Sequence, residues 1–336
     1  MKKFILIALS LIFTLSLAAC GQETVTYNPK NPYWMKEGSY GTTVDKSVNE
    51  VCIYDVTYLA ATEPSKTLAA EIISGTYKTE LTASTYDEKD CYLLTATLNV
   101  TGKYSALENG TAVDSVEFTD VTVNKTYFTW NNGIKTLCSI QQAESTLPSN
   151  ANGIVDDNGN RFVKIAFEAK IVYGDKNAET EFKIVGTEDE VAKMKPYFAL
   201  EDGYKGTIKK YASKNYIDST MLFFAPRSFD FAEGLSYSFN SIASLEHKLH
   251  SMMLTTNTVP TVSVDVNVNY NGDAITKTEP AYQLDIKINE TYKGQAITAT
   301  YLENATSWHH FMYKLVTPLR YNTGYLVYTL KEVQNS

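Results

Sequence analysis

Apolar and polar residues alternate with a period of two along most of this chain. Thr, Tyr, Val, Ile and Phe fill many of the alternating positions, and these residue types suit a pleated surface that is buried on one side. The longest alternating runs therefore predict β-strands. They cover residues 51–58, 92–100, 115–123, 163–173, 262–270 and 282–288.

Glycine-containing dipeptides separate many of these runs. Asn followed by Gly between two alternating runs is a strong hairpin signal, because both residues accept a positive φ. The chain is therefore predicted to be mainly β, with antiparallel strands. The dipeptides are Asn109-Gly110, Asn132-Gly133, Asn158-Gly159, Asn271-Gly272, Lys293-Gly294 and Thr323-Gly324.

Two segments carry helical signals. The apolar residues of segment 241–253 recur at helical spacing and form one stripe, which predicts a short helix. Segment 188–200 begins with three acids, as the start of a helix favours, and Pro196 interrupts it. We therefore expect a few short helices on a β scaffold. The stripe consists of Ile242, Leu245, Leu249, Met252 and Met253.

The chain also repeats itself weakly, with the matching segments in the same order. Residues 128–134 and 229–235 share the pattern aromatic, any, aromatic, any, any, Gly, aliphatic. Collinear matches of this kind indicate an internal duplication. The sequence therefore predicts two tandem antiparallel β-sandwich-like domains, at residues 47–211 and 212–336, with extra strands at the start of the first. Later matches pair Ser139-Ile140 with Ser241-Ile242, Tyr173-Gly174 with Tyr270 and Gly272, and Gly203-Tyr204 with Gly324-Tyr325.

The first residues have the features of an export signal. Met1-Lys2-Lys3 is followed by an apolar run over residues 4–17 and then by Ala18-Ala19-Cys20. The run is shorter than the ~20 residues that cross a membrane. The cysteine after small residues resembles the lipobox of bacterial lipoproteins. That resemblance implies that residues 1–19 are removed, that Cys20 is lipidated, and that the chain is anchored to the cell membrane outside the cytoplasm.

Residues 20–46 show no sustained period and are interpreted as the lipidated N-terminus and a flexible tether. A coil of ~25 residues would span roughly 25–30 Å and lift the body clear of the lipid headgroups. In the alternative, Tyr27, Tyr33 and Trp34 pack on the first domain as an extended arm.

Charge and cysteine content narrow the range of partners. Removing residues 1–19 removes two lysines and no acid, so the formal charge changes from −8 to −10. An acidic chain without basic clusters argues against nucleic acid as a partner. The expected partners are the membrane, through the lipid, and a glycan or another envelope protein. Cys52, Cys91 and Cys138 are read as buried thiols, with a Cys52–Cys91 bridge as the alternative.

Neither metal-like pattern in the chain is convincing. His247 and His250 share a helix face at i and i+3, but the helical wheel directs both toward water. Residues 156–160 resemble the start of a calcium loop, but Arg161 and Phe167 stand where that loop needs Gly and an acid. A hairpin turn explains the segment better. We expect no metal and no other cofactor.

Catalytic patterns are also missing from the sequence. It contains no GxSxG or SxxK nucleophile pattern and no Gly-rich phosphate loop. The preferred interpretation is a non-catalytic surface lipoprotein that acts in ligand binding or adhesion. The alternative is an envelope hydrolase of polysaccharide or peptide, because paired carboxylates leave no signal in sequence spacing. A solute-binding protein is disfavoured, because those proteins contain long helices and parallel strands.

Aromatic residues provide the candidate binding site. Trp130 and the aromatic run 223–231 could form a flat platform for a sugar or peptide, but packing in a core shared by the two predicted copies is the preferred explanation. Trp308, His309 and His310 have no counterpart in the first predicted copy. These three residues and Trp130 are therefore the predicted ligand-binding residues.

Overall fold

The structure is a computed structural model, and it describes eleven parts of the chain. Within them the alternating runs form strands, as the sequence predicts, and the fold is mainly β. The described residues are 24–26, 31–35, 43–209, 216–229, 231, 236–243, 245, 248–256, 262–288, 297–304 and 308–335.

Long strands dominate the first half of the chain and shorter strands the second. The strands are β1 (Thr24–Thr26), β2 (Asn49–Leu59), β3 (Leu68–Tyr86), β4 (Lys89–Glu108), β5 (Thr111–Trp130), β6 (Ile134–Pro148), β7 (Phe162–Tyr173), β8 (Asn177–Ile184), β9 (Lys205–Lys209), β10 (Tyr216–Asp218), β11 (Ser236–Ala243), β12 (Lys248–Thr256), β13 (Val262–Tyr270), β14 (Asp273–Ile288), β15 (Ile297–Leu302), β16 (Met312–Pro318) and β17 (Tyr325–Asn335). In the described parts of the chain, one α-helix, α1 (Glu188–Met194), and four 3₁₀ turns accompany them, at Lys195–Tyr197, Ser219–Met221, Ala225–Ser228 and Arg320–Asn322. Among the described residues, no helix has the length and apolar character needed to span a bilayer.

All seventeen of the strands that the structure describes belong to one sheet. Strands β13 to β17 close a ring, because β13 pairs antiparallel with β14 and parallel with β17 at Asn269–Glu332 and Tyr270–Val333. From β17 the sheet continues antiparallel through β2 to β9. On the other side β14 pairs with β12 and β12 with β11, whose outer edge carries β1 and β10. The architecture is β-barrel-like.

The registers define two ends of the molecule. At the proximal end lie residues 31–35 and 43–48, the β3–β4, β5–β6, β7–β8 and β13–β14 turns, and the end of β17. At the distal end lie loops 60–67, 149–161 and 319–324, the β4–β5 turn, and segment 185–204 with α1. Strand β4, 20 residues long, runs from one end to the other.

The main core lies between β2–β5 and the ring β13–β17, and the segment 219–229 runs through it. Met221 and Ala225 are fully buried there, and Phe229 is almost so. Arg227 of the same segment forms a buried ion pair with Glu50 of β2. A second cluster, around Ile165 and Phe167, lies under α1.

The division into two tandem sandwich domains is not confirmed. Strand β17 of the second predicted copy pairs along its length with β2 of the first. The main core also draws residues from both copies. Gly234, which the duplication aligns with Gly133, lies outside the described residues.

The helix predicted over residues 241–253 is wrong, because this segment contributes to β11 and β12, with Ile242 opposite Leu249. Pairing of β11 with β10 and of β12 with β14 satisfies their backbone groups, and this outweighs the local helical spacing. The helix in segment 188–200 is confirmed as α1, and it ends just before Pro196.

The prediction of a flexible tether over residues 20–46 is wrong at two places. Thr24–Thr26 form β1, which pairs with β11, and Trp34 and Met35 are buried in the main core. For Trp34, the structure therefore agrees with the alternative prediction, in which this segment packs as an extended arm. Two large apolar side chains gain more from burial here than a solvated coil would offer.

The cysteine interpretation is confirmed for the three described thiols. Cys52, Cys91 and Cys138 are free and buried. Cys52 lies opposite Thr79 and Cys91 opposite Ser84, so the two cysteines pair with different residues of β3 and form no bridge.

Candidate functional site

The predicted ligand-binding residues lie in the core of the proximal end. Trp130, Trp308 and His310 are only 5%, 2% and 5% exposed. Trp34 packs edge-on against Trp130, with ring centroids 5.3 Å apart. Other parts of this chain cover the rings of Trp130, Trp308 and His310, which agrees with core packing, and their role in ligand binding stays a prediction.

His309 is half-buried at the same end. Its Nδ1 lies 2.7 Å from the carbonyl oxygen of Tyr33, and because a carbonyl only accepts, Nδ1 carries the proton. Burial lowers the pKa of His309; the Tyr33 carbonyl opposes this shift, and Arg227 adds to it. His309 and Trp34 line a cavity of about 180 Å³. Their proximity links the N-terminal segment to the turn before β16, a contact that sequence spacing did not indicate.

Among the described residues, no group of three His, Cys, Asp or Glu side chains is placed to hold an ion. His247 lies outside the described residues. The oxygens of Asp156 are used within its own loop: Oδ1 accepts the backbone N–H groups of Asn158 and Asn160, each at 2.9 Å, and Oδ2 accepts the Tyr197 hydroxyl at 2.5 Å. The hairpin-turn interpretation agrees with this bonding.

A larger cavity, of about 370 Å³, lies at the distal end between β7 and α1. We call it the distal cavity. Its size is within the range typical of small-ligand sites. The lining combines apolar side chains with charges at the rim: Glu144, Asn160, Phe162, Val163, Lys164, Ala166, Val185, Gly186, Glu190, Lys193 and Met194.

The residues just before α1 define where this helix starts beside the distal cavity. Thr187 caps the helix: its hydroxyl accepts the N–H of Glu190, and the Glu190 carboxylate accepts the N–H of Thr187 at 2.8 Å. This reciprocal capping box satisfies two donors at the helix start. Gly186 allows a close approach, because a Cβ there would lie 3.1 Å from Glu190 Cβ and from Met194 Cε.

Two rim charges of the distal cavity are held in their ionised forms. Hydrogen bonds from the backbone and hydroxyl of Thr187 lower the pKa of Glu190. The hydrogen bond and charge of Glu144 raise the pKa of Lys164, with which Glu144 forms an ion pair. A general acid or base needs a pKa near the working pH, and both shifts move away from it. The rim is thus suited to binding more than to proton transfer.

Exposed large apolar side chains of the described residues lie at the distal end of the molecule. Those of the described residues that are more than a third exposed lie in the distal loops or in the distal parts of their strands. The residues are Leu59, Ile73, Val113, Ile154, Val155, Val185 and Tyr321.

The sequence analysis did not predict the distal cavity, although two sequence signals for α1, the helix beside it, were readable. Thr187 and Glu190 have the spacing of a capping box, and the acids of the first turn had already indicated the helix. The cavity itself arises because β7 extends beyond the end of β8: their ladder stops at Phe167 and Ile184, whereas β7 starts at Phe162. No local pattern encodes this offset between two strands.

Comparisons with known proteins identify no family. No family model matches the chain, and no curated protein matches it. Among solved structures, the chain is similar to a β-barrel-like protein of the domain of unknown function DUF1849 from Brucella abortus. The two share 9% identity with a TM-score of 0.43, over 87% of this chain and 100% of that one. No functional inference rests on this likeness.

Proposed function

We propose that the protein is an extracytoplasmic lipoprotein, anchored to the membrane through Cys20, that binds a ligand or another envelope molecule without catalysis. The proposal rests on one observation: the N-terminal segment and the distal cavity lie at opposite ends of the molecule. The N-terminal segment packs at the proximal end, through Trp34 and Met35. The distal cavity and the exposed apolar side chains lie at the other end. We infer that the anchored molecule presents this distal end away from the bilayer.

The distance from the lipid to the body is short in this proposal. Thr24 begins β1 only four residues after Cys20. A fully extended chain advances at most ~3.6 Å per residue, so about 14 Å separates the two residues at most. The sheet edge at β1, which pairs with Ser236–Ser238 of β11, would therefore lie closer to the headgroups than the roughly 25–30 Å that a free tether would allow.

Binding is preferred to catalysis because of the charges at the distal cavity. Glu190 and Lys164 are each stabilised in the ionised form. Asp120 is a carboxyl group whose burial raises its pKa, but it is held by Ser145 and the backbone of Thr146 outside the distal cavity. The hydrolase alternative therefore has no specific support among the described residues.

The anchor is tested with Cys20→Ser. The variant should remain uncleaved or be released from membranes, because acyl chains supply the stable attachment. Wild-type migration and fractionation of the variant would disprove the anchor.

The orientation is tested with two single labels on β4, Lys89→Cys at the proximal end and Glu108→Cys at the distal end. The 20 residues of this strand span roughly 65 Å, and the native cysteines are buried. A fluorophore at position 89 of vesicle-anchored protein should transfer energy to an acceptor lipid more efficiently than one at position 108. Equal or reversed transfer would disprove the orientation and leave the anchor intact.

A further inference from the structure

Strand β7 extends beyond its neighbour β8. Their ladder begins at the pair Phe167 and Ile184, and one further bond joins the N–H of Val185 to the carbonyl of Ala166 at 2.9 Å. The chain then turns at Gly186 into α1. The first residues of β7 therefore pair with β6 on one side, where Lys164 lies opposite Thr146. On the other side, where β8 would continue, no described strand pairs with them.

The backbone direction follows from this register. In an antiparallel sheet, hydrogen-bonding groups alternate between the two sides of a strand. Ala166 bonds toward β8, so the N–H and C=O of Lys164 and Phe162 point the same way, and those of Val163 and Ile165 point toward β6. The N–H of Ala166 donates to Met194 Sδ at 3.1 Å, so a weak thioether acceptor occupies a place that a strand carbonyl would take. We call residues 162–164 the open edge.

The open edge forms one wall of the distal cavity, and α1 forms the opposite wall. Val185, which is 46% exposed, and Met194, which is buried, supply apolar surface between the walls. The rim charges are balanced, with Glu144 against Lys164 and Glu190 near Lys193. An uncharged backbone with an apolar side chain fits these surroundings better than a multiply charged ligand does.

We propose that the distal cavity binds an extended peptide segment of another protein, which adds to the sheet as a strand along the open edge. The peptide backbone pairs with Lys164 and Phe162, and one apolar side chain enters beside Val185 and Met194. In strand addition, main-chain hydrogen bonds provide affinity and side-chain pockets provide specificity. A volume of about 370 Å³ corresponds to roughly a dozen water-sized groups, enough for one large side chain with its backbone. This inference rests on the proposed function, because it names the partner of the distal end.

Amide hydrogen exchange tests the open edge in the protein alone. The amide of Lys164 should exchange rapidly, while those of Val163 and Ile165, which face β6, should be protected. Protection of Lys164 equal to that of Val163 would overturn the inference, because it would mean that another part of the chain already covers the edge.

A displayed library of random nonapeptides, selected on the soluble protein, tests the partner. Bound peptides should slow exchange of the Lys164 amide. Lys164→Pro removes this N–H and Lys164→Ala keeps it, so the proline variant should bind at least ~10-fold more weakly than the alanine variant. Val185→Lys should abolish binding, and Val113→Lys is its matched control, because both valines are 46% exposed and Val113 lies outside the cavity.

N-methylated peptides keep the test decisive if Lys164→Pro does not fold. Methylation at alternate residues should block binding and methylation at the intervening residues should not, because only one side of an added strand faces β7. Failure to select peptides, or selected peptides insensitive to these changes, would overturn the inference. A glycan that binds at Val185 regardless of Lys164→Pro would overturn it too, while leaving the proposed function in place.

Discussion

Arg227 donates from Nη1 and Nη2 to the two carboxylate oxygens of Glu50, at 2.6 and 2.9 Å, across 177 residues of sequence. The Nε of Arg227 also donates to the carbonyl of His309 at 3.0 Å, and its guanidinium lies over the ring of Phe311, 4.6 Å from the centroid. One buried side chain therefore connects segment 219–229 to β2 and to the turn before β16.

Removing Arg227 alone should be strongly destabilising. Arg227→Met leaves the Glu50 carboxylate buried without its partner, and breaking a buried pair in this way costs about 3–5 kcal/mol. The measurement is the free energy of unfolding from urea denaturation at neutral pH.

The double variant Arg227→Met/Glu50→Gln is the control. It removes both charges, so it should be less destabilised than the sum of the two single variants. Additive effects would show that the two side chains do not stabilise each other.

Trp34 should contribute to stability as a core residue does. It is 2% exposed, and its ring centroid lies 4.9 Å from that of Phe224. Trp34→Ala should lower the free energy of unfolding by about 3–5 kcal/mol. Lys46→Ala is the control, because Lys46 lies at the same end with its side chain 62% exposed. Equal stability of the two variants would mean that the N-terminal segment is not part of the core.

Local chemistry explains what the sequence predicted well. The period-two runs became strands, because alternation places one set of side chains on the buried face. Three of the hairpin dipeptides also have the expected backbone: Asn109, Asn132 and Asn271 all have φ near +52°. Such signals lie within a few residues of one another, so they can be read without knowledge of the fold.

Long-range pairing explains what the sequence did not predict. Apolar spacing in segment 241–253 indicated a helix, but pairing of β11 and β12 with distant strands decided the structure. Trp34 and Trp130 are neighbours only because the N-terminal segment returns to the core. The distal cavity depends on where β8 ends relative to β7, which is a property of two strands together.

The three buried thiols should be unreactive in the folded protein. Burial raises the pKa of Cys52, of Cys91 and of Cys138, so each thiol stays protonated at neutral pH, and the thiolate is the reactive form. In the Cys20→Ser protein, Ellman's reagent should react with none of them at pH 7.5 and with all three in denaturant. Rapid reaction of one thiol in the native state would contradict its burial.

His309 should make stability depend on pH. Its pKa is lowered in the folded state, first by burial, so the unfolded chain binds a proton more readily. The associated stability is fully present above the unfolded pKa of ~6.5 and is lost as the pH falls through the lowered folded value. His309→Asn is the matched variant, because Asn tolerates the positive φ of 47° and can donate to the Tyr33 carbonyl without titrating. Below pH 6.5 the wild type should lose more unfolding free energy than the variant; parallel pH profiles would show that His309 is not responsible.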